Sequence, residues 1–285
     1  MSDKSPSLPD HFSALPGHRV LALEGRDAAS FAQAQFTNDV DGLADGHWQW
    51  SGWLTPKGRI VALFALLRFD AERLWLVLPD ADPAELAEQL QRFVFRTKVK
   101  LRPLEAVHAA AAFTAPEQAA GAAFAGDADS GVDLDMGTPA GTRTLRLGSA
   151  TAPANDDTAG RWSRFDLAHG WPRLDPDQTE KWTPQQLSLQ RLRAYSVKKG
   201  CYPGQEIVAR THFLGQAKRG LVRLQVDSAV ASGDAVTSGE REIGRVVCAT
   251  GTEALAVLPL ELEEATLTIA GITCRTAPLE DGLAR

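Results

Sequence analysis

Lys198-Lys199-Gly200-Cys201-Tyr202-Pro203-Gly204-Gln205-Glu206 contains one of the three cysteines and one of the two tyrosines in a chain of 285 residues. Tyr202-Pro203-Gly204-Gln205 predicts a tight turn, with Pro at its second position and Gly allowing a positive φ at its third. Gln205 to His212 predicts a short helix, which Gly215 ends. Cys201 then stands just before a helix N-terminus with lysine charge nearby, and both features favour thiolate over thiol. The residues alone leave a second reading equally open: Pro and Gly build a turn, and Cys201 is a small buried filler.

Lys199-Gly200-Cys201-Tyr202-Pro203-Gly204-Gln205-Glu206 resembles the signature Lys-Gly-Cys-Tyr-x-Gly-Gln-Glu of the YgfZ family. Members of that family are folate-binding, T-protein-like proteins linked to iron–sulfur enzyme maintenance and to tRNA modification. Ile207-Val208-Ala209-Arg210 and Gly215-Gln216-Ala217-Lys218-Arg219 continue the resemblance.

Upstream of the motif, Thr183-Pro184-Gln185-Gln186 reads as a capping box with Pro at the first helical position, which predicts a helix over about 184–194. Trp162 to Asp166 reads as a strand, broken by His169-Gly170-Trp171-Pro172. Downstream of Lys218 the pattern changes. Short apolar runs at 221–226, 234–237, 241–250, 254–258, 265–269 and 272–275, split by Gly, Pro and acidic turns, predict a small β-barrel. Cys248 and Cys274 fall in those strands and read as core.

The N-terminal part reads as strand 19–23, helix 25–35, a hairpin of 47–54 with 59–67 around Thr55-Pro56-Lys57-Gly58, strand 74–78, a helix opened by Asp82-Pro83, and strand 99–102. Leu86, Leu90 and Phe93 form one apolar face of that second helix. This order predicts an α+β architecture with helices on an antiparallel or mixed sheet. The segment 109–160, rich in Ala, Gly, Asp and Thr, predicts short strands and variable loops, the most mobile being 117–129 and 150–159. Three units follow: 1–105 and 106–217, both α+β, and the barrel 218–285. The resemblance implies that the first two belong to a T-protein-like ring with a central channel.

A net charge of −6 argues against a broad electrostatic footprint for nucleic acid, so no direct nucleic-acid partner is expected. No apolar run approaches the roughly 20 residues a membrane helix needs, and an odd number of scattered cysteines makes no disulfide framework. A cytoplasmic location and no membrane partner are expected. Walker, dinucleotide, His-Glu-x-x-His and Cys-x-x-Cys patterns are absent. The six histidines are dispersed, so no metal site is expected. One non-core cysteine does not supply the four ligands a cluster typically uses.

The resemblance implies tetrahydrofolate or a related folate as ligand, and iron–sulfur enzymes or their assembly factors as partners. It also assigns roles. Cys201 is the working thiol with Lys199 as its electrostatic partner, and Tyr202, Gly204, Gln205 and Glu206 belong to the ligand side. Asn38 and Asp39, which by chemistry alone read as capping and turn residues, become pocket residues because T-proteins carry a similar Thr-Asn-Asp beside the channel. Two departures stand out. Ala62-Leu63 occupies the place of the T-protein Asp-Asp pair, and an aliphatic pair cannot exchange a proton. Ala168-His169-Gly170 replaces Glu-Ala-Gly, leaving Asp166, on the same face of a regular strand, as the substitute that grips a pterin. The expected function is therefore a folate-binding-type accessory protein of iron–sulfur enzymes. The alternatives are a folate-dependent aminomethyl or one-carbon transferase, which the aliphatic pair disfavours, and a non-catalytic scaffold.

Overall fold

The structure is a computed structural model that describes residues 8–215, 217–261 and 266–285. The first elements are β1 (Ser13–Ala14), β2 (Arg19–Glu24), α1 (Ala28–Gln35), β3 (His47–Leu54), β4 (Ile60–Arg68), β5 (Arg73–Leu78), α2 (Pro83–Gln91) and β6 (Lys100–Pro103). Next come β7 (His108–Ala112), β8 (Ala125–Asp127), β9 (Gly131–Asp135), β10 (Thr144–Gly148), α3 (Asp156–Ala168) and α4 (Gln205–Leu214), with short 3-10 turns at Pro176–Gln178 and Leu189–Leu192. The last are β11 (Arg219–Val226), β12 (Ala235–Ser238), β13 (Arg241–Thr250), β14 (Glu253–Pro259), β15 (Leu267–Ile269) and β16 (Ile272–Ala277).

The chain is α+β with a closed C-terminal barrel, as its pattern predicts. One antiparallel sheet runs β3-β4-β5-β2-β6, and a second runs β1-β7-β10-β9-β8. The six barrel strands close in the order β11-β14-β13-β12-β15-β16. Strand β4 shows why the first sheet sits in the middle. Ala62, Phe64 and Leu66 face α1 and α2, with Phe31, Leu86 and Leu90. Leu63, Ala65 and Leu67 face the other way, toward the second sheet, Trp162 of α3, and Val247 and Leu255 of the barrel wall. A strand buried on both faces needs this nearly continuous apolar run. Asp82 caps α2 through Ala84 N and Glu85 N at 2.8 and 3.0 Å, satisfying two donors that a helix start leaves free.

Two segments cross the expected unit boundaries. β1 pairs with β7 of the second sheet. Past the barrel the chain returns to the body: Leu283 O accepts from Trp50 Nε1 at 2.7 Å, and Arg285 donates to Asp135 O and Gly137 O at 3.0 and 2.8 Å.

Several expectations are corrected. α1 starts at Ala28, three residues later than expected, with Asp27 as its N-cap residue. α2 stops at Gln91, leaving Phe93 beyond the helix and 43% exposed. Residues 162–166 are not a strand but the second half of α3, whose start at 156 also replaces the expected loop. Asn155 caps it, accepting from Thr158 N at 3.1 Å. Trp162 and Asp166 are buried one turn apart, a helical spacing.

No α-helix runs over 184–194 either. The capping box itself forms, with Gln186 N donating to Thr183 Oγ1 at 3.3 Å and Thr183 N to Gln186 Oε1 at 3.0 Å. Ser188 and Arg193 then take left-handed backbone, φ 50° and 55°, which breaks propagation. The break puts Ser188 Oγ where Leu221 N, at the start of the barrel, donates to it at 3.0 Å. Of the expected strand 265–269, residue 266 lies outside β15, and 265 lies outside the described residues.

Candidate functional site

The cysteine turn forms as its residues dictate. Gln205 N donates to Tyr202 O at 3.1 Å, and Gly204 has φ 77° and ψ 1°, the geometry of the third position of a type II turn. Only glycine fits there for a second reason: a Cβ would come within 2.6 Å of Thr55 O and 2.7 Å of the Gly58 Cα. The turn is therefore seated directly on the β3–β4 turn. Gln205 Nε2 closes the loop onto Lys199 O at 3.1 Å. Tyr202 is buried, its hydroxyl donating to Ser196 O at 3.3 Å, and burial pushes its titration upward. Cys201 is exposed on this framework, whereas Cys248 and Cys274 are buried. Burial drives the Cys248 thiol up to about 12, while Arg173 N donates to its sulfur at 3.4 Å.

Lys199 points into the protein. Its Nζ donates to Gln33 O, to Phe36 O at 2.6 Å and to Asn38 O at 3.1 Å. Gln33 is in the last turn of α1, Phe36 is its C-cap and Asn38 follows just beyond, a helix end where carbonyls lack partners and a positive charge is favourable. All three ammonium hydrogens thus have backbone acceptors. Burial lowers Lys199 to about 8, against the opposing pull of Asp39 and Asp41. Its ammonium also lies 5.0 Å from the centre of the Tyr202 ring. The expected Lys199–Cys201 charge pair gives way to an anchor that fixes the loop to α1.

Asn38 is buried and structural in its contacts. Its Nδ2 donates to Trp50 O at 2.8 Å and to Arg193 O at 2.6 Å, tying β3 to the segment before the cysteine motif. Asp39 Oδ1 accepts from Gln33 Nε2 at 3.0 Å. Thr37, whose hydroxyl donates to Ala194 O at 2.8 Å and accepts from Gly52 N at 2.9 Å, completes this bracket. Asn38, Asp39, Lys199, Tyr202 and Gln205 therefore gather around the end of α1. Glu206 is exposed in the first turn of α4, where a carboxylate suits the helix dipole.

Asp166 lies apart from this group. It sits in α3 with 3% exposure, its Oδ1 held by Arg143 at 2.8 Å. Arg143 is fully buried, with its guanidinium 4.1 Å from the Trp162 ring centre and 3.8 Å from that of Phe165. A carboxylate so engaged is not free to grip a pterin. Arg143 lies in a weakly patterned segment, and nothing in its neighbours marks it as buried.

Ala62 and Leu63 border a cleft of about 300 Å³, with Arg19, Asp80, Leu174 and Glu180 among its other walls. Asp80 accepts from Arg173 Nε at 2.6 Å and from Leu174 N at 2.9 Å. Burial raises the Asp80 carboxyl even so, against the pull of Arg173. Among the described residues no group of three or more His, Cys, Asp or Glu is placed to hold a metal ion. No described helix is long and apolar enough to cross a membrane.

Residues 218–280 match the C-terminal beta-barrel domain of CAF17. The glycine cleavage system aminomethyltransferase T from Bartonella henselae superposes with a TM-score of 0.73 at 15% identity, covering 94% of this chain and 85% of that one. The fold is thus that of an aminomethyltransferase T protein ending in a CAF17-type barrel. In sequence, the chain is 29% identical over 247 residues to the tRNA-modifying protein YgfZ of Vibrio vulnificus (strain CMCP6), covering 81% of this chain and 75% of the relative. It is 28% identical over 289 residues to the protein of that name from Aliivibrio fischeri (strain MJ11), covering 93% and 90%. With the cysteine motif in place on this fold, the chain is similar to the YgfZ proteins over most of its length.

Proposed function

We propose that this protein is an accessory factor of tRNA modification that supports iron–sulfur enzymes through Cys201. The observation that carries this reading is the contrast among the three cysteines. Two are buried, and the third is presented outward on a turn fixed from several sides. Gly204 seats it on the β3–β4 turn, Gln205 closes it, and Lys199 ties its base to α1. A thiol held rigidly at the surface suits transfer or repair chemistry at a partner protein, where positioning matters. The description of the relatives as tRNA-modifying supplies the process.

Aminomethyl transfer is disfavoured. Ala62 and Leu63 themselves carry no proton-handling group; the carboxyls of the cleft they border come from other residues, Asp80 being held by Arg173 and Leu174 N. A folate-type ligand is part of the proposal through the fold, not through Asp166, which Arg143 holds. The test has two arms. Cys201→Ser, expressed in cells lacking the native protein, is expected to abolish the activity of an iron–sulfur tRNA-modifying enzyme while the variant accumulates and melts normally. Full activity with Cys201→Ser would overturn the thiol role. Titration of reduced folate into the purified chain by calorimetry tests the ligand, and absence of binding heat removes folate from the reading.

A further inference from the structure

The net charge of −6 averages over an uneven chain. Between Glu88 and Glu105 no acidic residue occurs, while Arg92, Arg96, Lys98, Lys100 and Arg102 do, interleaved with Phe93 and Phe95. The structure turns this into a surface. All five basic residues are exposed, Phe95 is 76% exposed, and Phe93 lies beside it. The segment does not lack anchors: Val99 is buried and Val94 half-buried, both on the α1–α2 side of the first sheet. Lys98 N is further held by Asp27 Oδ2 at 2.7 Å. Phe95 therefore projects from a fixed segment. Arg96, in left-handed backbone at φ 62°, sets its guanidinium 5.2 Å from the centre of the Phe95 ring.

Two salt bridges border this corner, Arg102 to Glu24 at 2.9 Å and Arg26 to Asp27 at 3.7 Å. Arg92, Arg96, Lys98 and Lys100 make none among the described residues. We propose that Phe95, Arg96, Lys98 and Lys100 form a docking surface for the unpaired bases of RNA, with a base stacking on the Phe95–Arg96 pair and phosphates meeting the flanking cations. Single-stranded nucleic acid is the occupant because it alone offers both complements, a sequence-tolerant π face and a regular line of negative charge. Neither an anionic bilayer surface nor an acidic peptide brings a base to stack on the Phe95–Arg96 pair beside a regular line of phosphates. The choice of RNA over DNA rests on the accessory reading above. The surface itself does not depend on Cys201.

The test uses the full chain and fluorescence anisotropy. The probes are a labelled RNA stem–loop, its DNA counterpart, a fully paired RNA duplex of equal length, and phosphatidylcholine–phosphatidylserine vesicles. Saturable binding of the RNA stem–loop in preference to the duplex is expected. Phe95→Ala should weaken it by about tenfold or more with the melting curve unchanged. Lys98→Gln with Lys100→Gln should flatten the dependence of log affinity on log salt by about 1 to 1.5. No binding to either stem–loop, equal binding to the duplex, binding indifferent to Phe95→Ala, or capture by vesicles alone would each overturn the surface. Binding confined to DNA would keep the surface, but overturn RNA as its occupant together with the link to the accessory reading.

Discussion

Gly58 and Gly204 meet backbone to backbone: a Cβ on Gly204 would lie 2.7 Å from the Gly58 Cα, and a Cβ on Gly58 would lie 3.3 Å from Gly204 O and 2.9 Å from the Ile207 Cβ. Both glycines have positive φ, 70° and 77°. The hairpin turn and the cysteine turn are thus mated at a point where no side chain fits.

Gly204→Ala is expected to lower stability by about 1–3 kcal/mol through backbone strain, and by more if the turns separate. Chemical denaturation measures the loss. Alkylation of Cys201 in the same variant should change in rate, because the turn that presents it has moved. A variant of unchanged stability and reactivity would mean that the two turns are not mated in solution.

The three cysteines should separate cleanly in peptide-resolved alkylation. Cys201 should label well ahead of Cys248 and Cys274, which lie 4% and 5% exposed. Cys201→Ser should shift stability by no more than about 0.5 kcal/mol, as for other exposed positions. Equal labelling of all three would return Cys201 to the role of a turn residue.

Lys199 gives a pH signature. Its folded titration near 8 lies below the usual lysine value of 10.5. Between those values the unfolded chain binds the extra proton, so this group's contribution to stability rises with pH across the window from about 8 to 10.5. The rise is on the order of 3 kcal/mol at most. Lys199→Met should lack it. At pH 7 the variant should also be less stable by about 1–3 kcal/mol, because carbonyls of Gln33, Phe36 and Asn38 lose their donor. Denaturant melts of both proteins between pH 7 and 10 supply the comparison; parallel curves would contradict the anchor.

Asp166→Ala should cost about 3–5 kcal/mol, since it strands the Arg143 charge in the core. Arg143→Met combined with Asp166→Leu should recover part of that loss. Urea unfolding of the two variants and the parent distinguishes a paired core charge from a ligand-binding carboxylate. If Asp166→Ala is as stable as the parent, Arg143 does not depend on it.

The sequence was most legible where local chemistry and tertiary role agree. Asp82-Pro83 announces a helix start and caps one. The β4 run reads as doubly buried and is sandwiched between two cores. The barrel strands are short apolar runs cut by turns, and they close. Legibility failed where a distant partner overrides the local pattern. Trp162 to Asp166 mimics a strand because an acidic residue is buried, and only Arg143 explains why. Thr183 and Gln186 form a sound box, yet Ser188 leaves the helix to meet the barrel. At the site, the turn geometry around Gly204 follows from its residues. The direction of Lys199 does not, since its acceptors lie more than 160 residues earlier in the chain.

The return of residues 279–285 to the first two sheets has a consequence for how the protein is made. Synthesis proceeds from the N-terminus, so β3 emerges long before the acceptor of the Trp50 indole, which lies 233 residues later. Arg285 likewise reaches back 150 residues to Asp135. The body can collapse on the ribosome, but its tryptophan layer stays unlocked until the barrel has been translated and the tail threads back. Such long-range closures slow folding because the loop entropy precedes the contact that rewards it. A nascent chain stalled within β16 would therefore expose a loosened first sheet to chaperones and proteases, and the tail acts as the latch that ends that exposure.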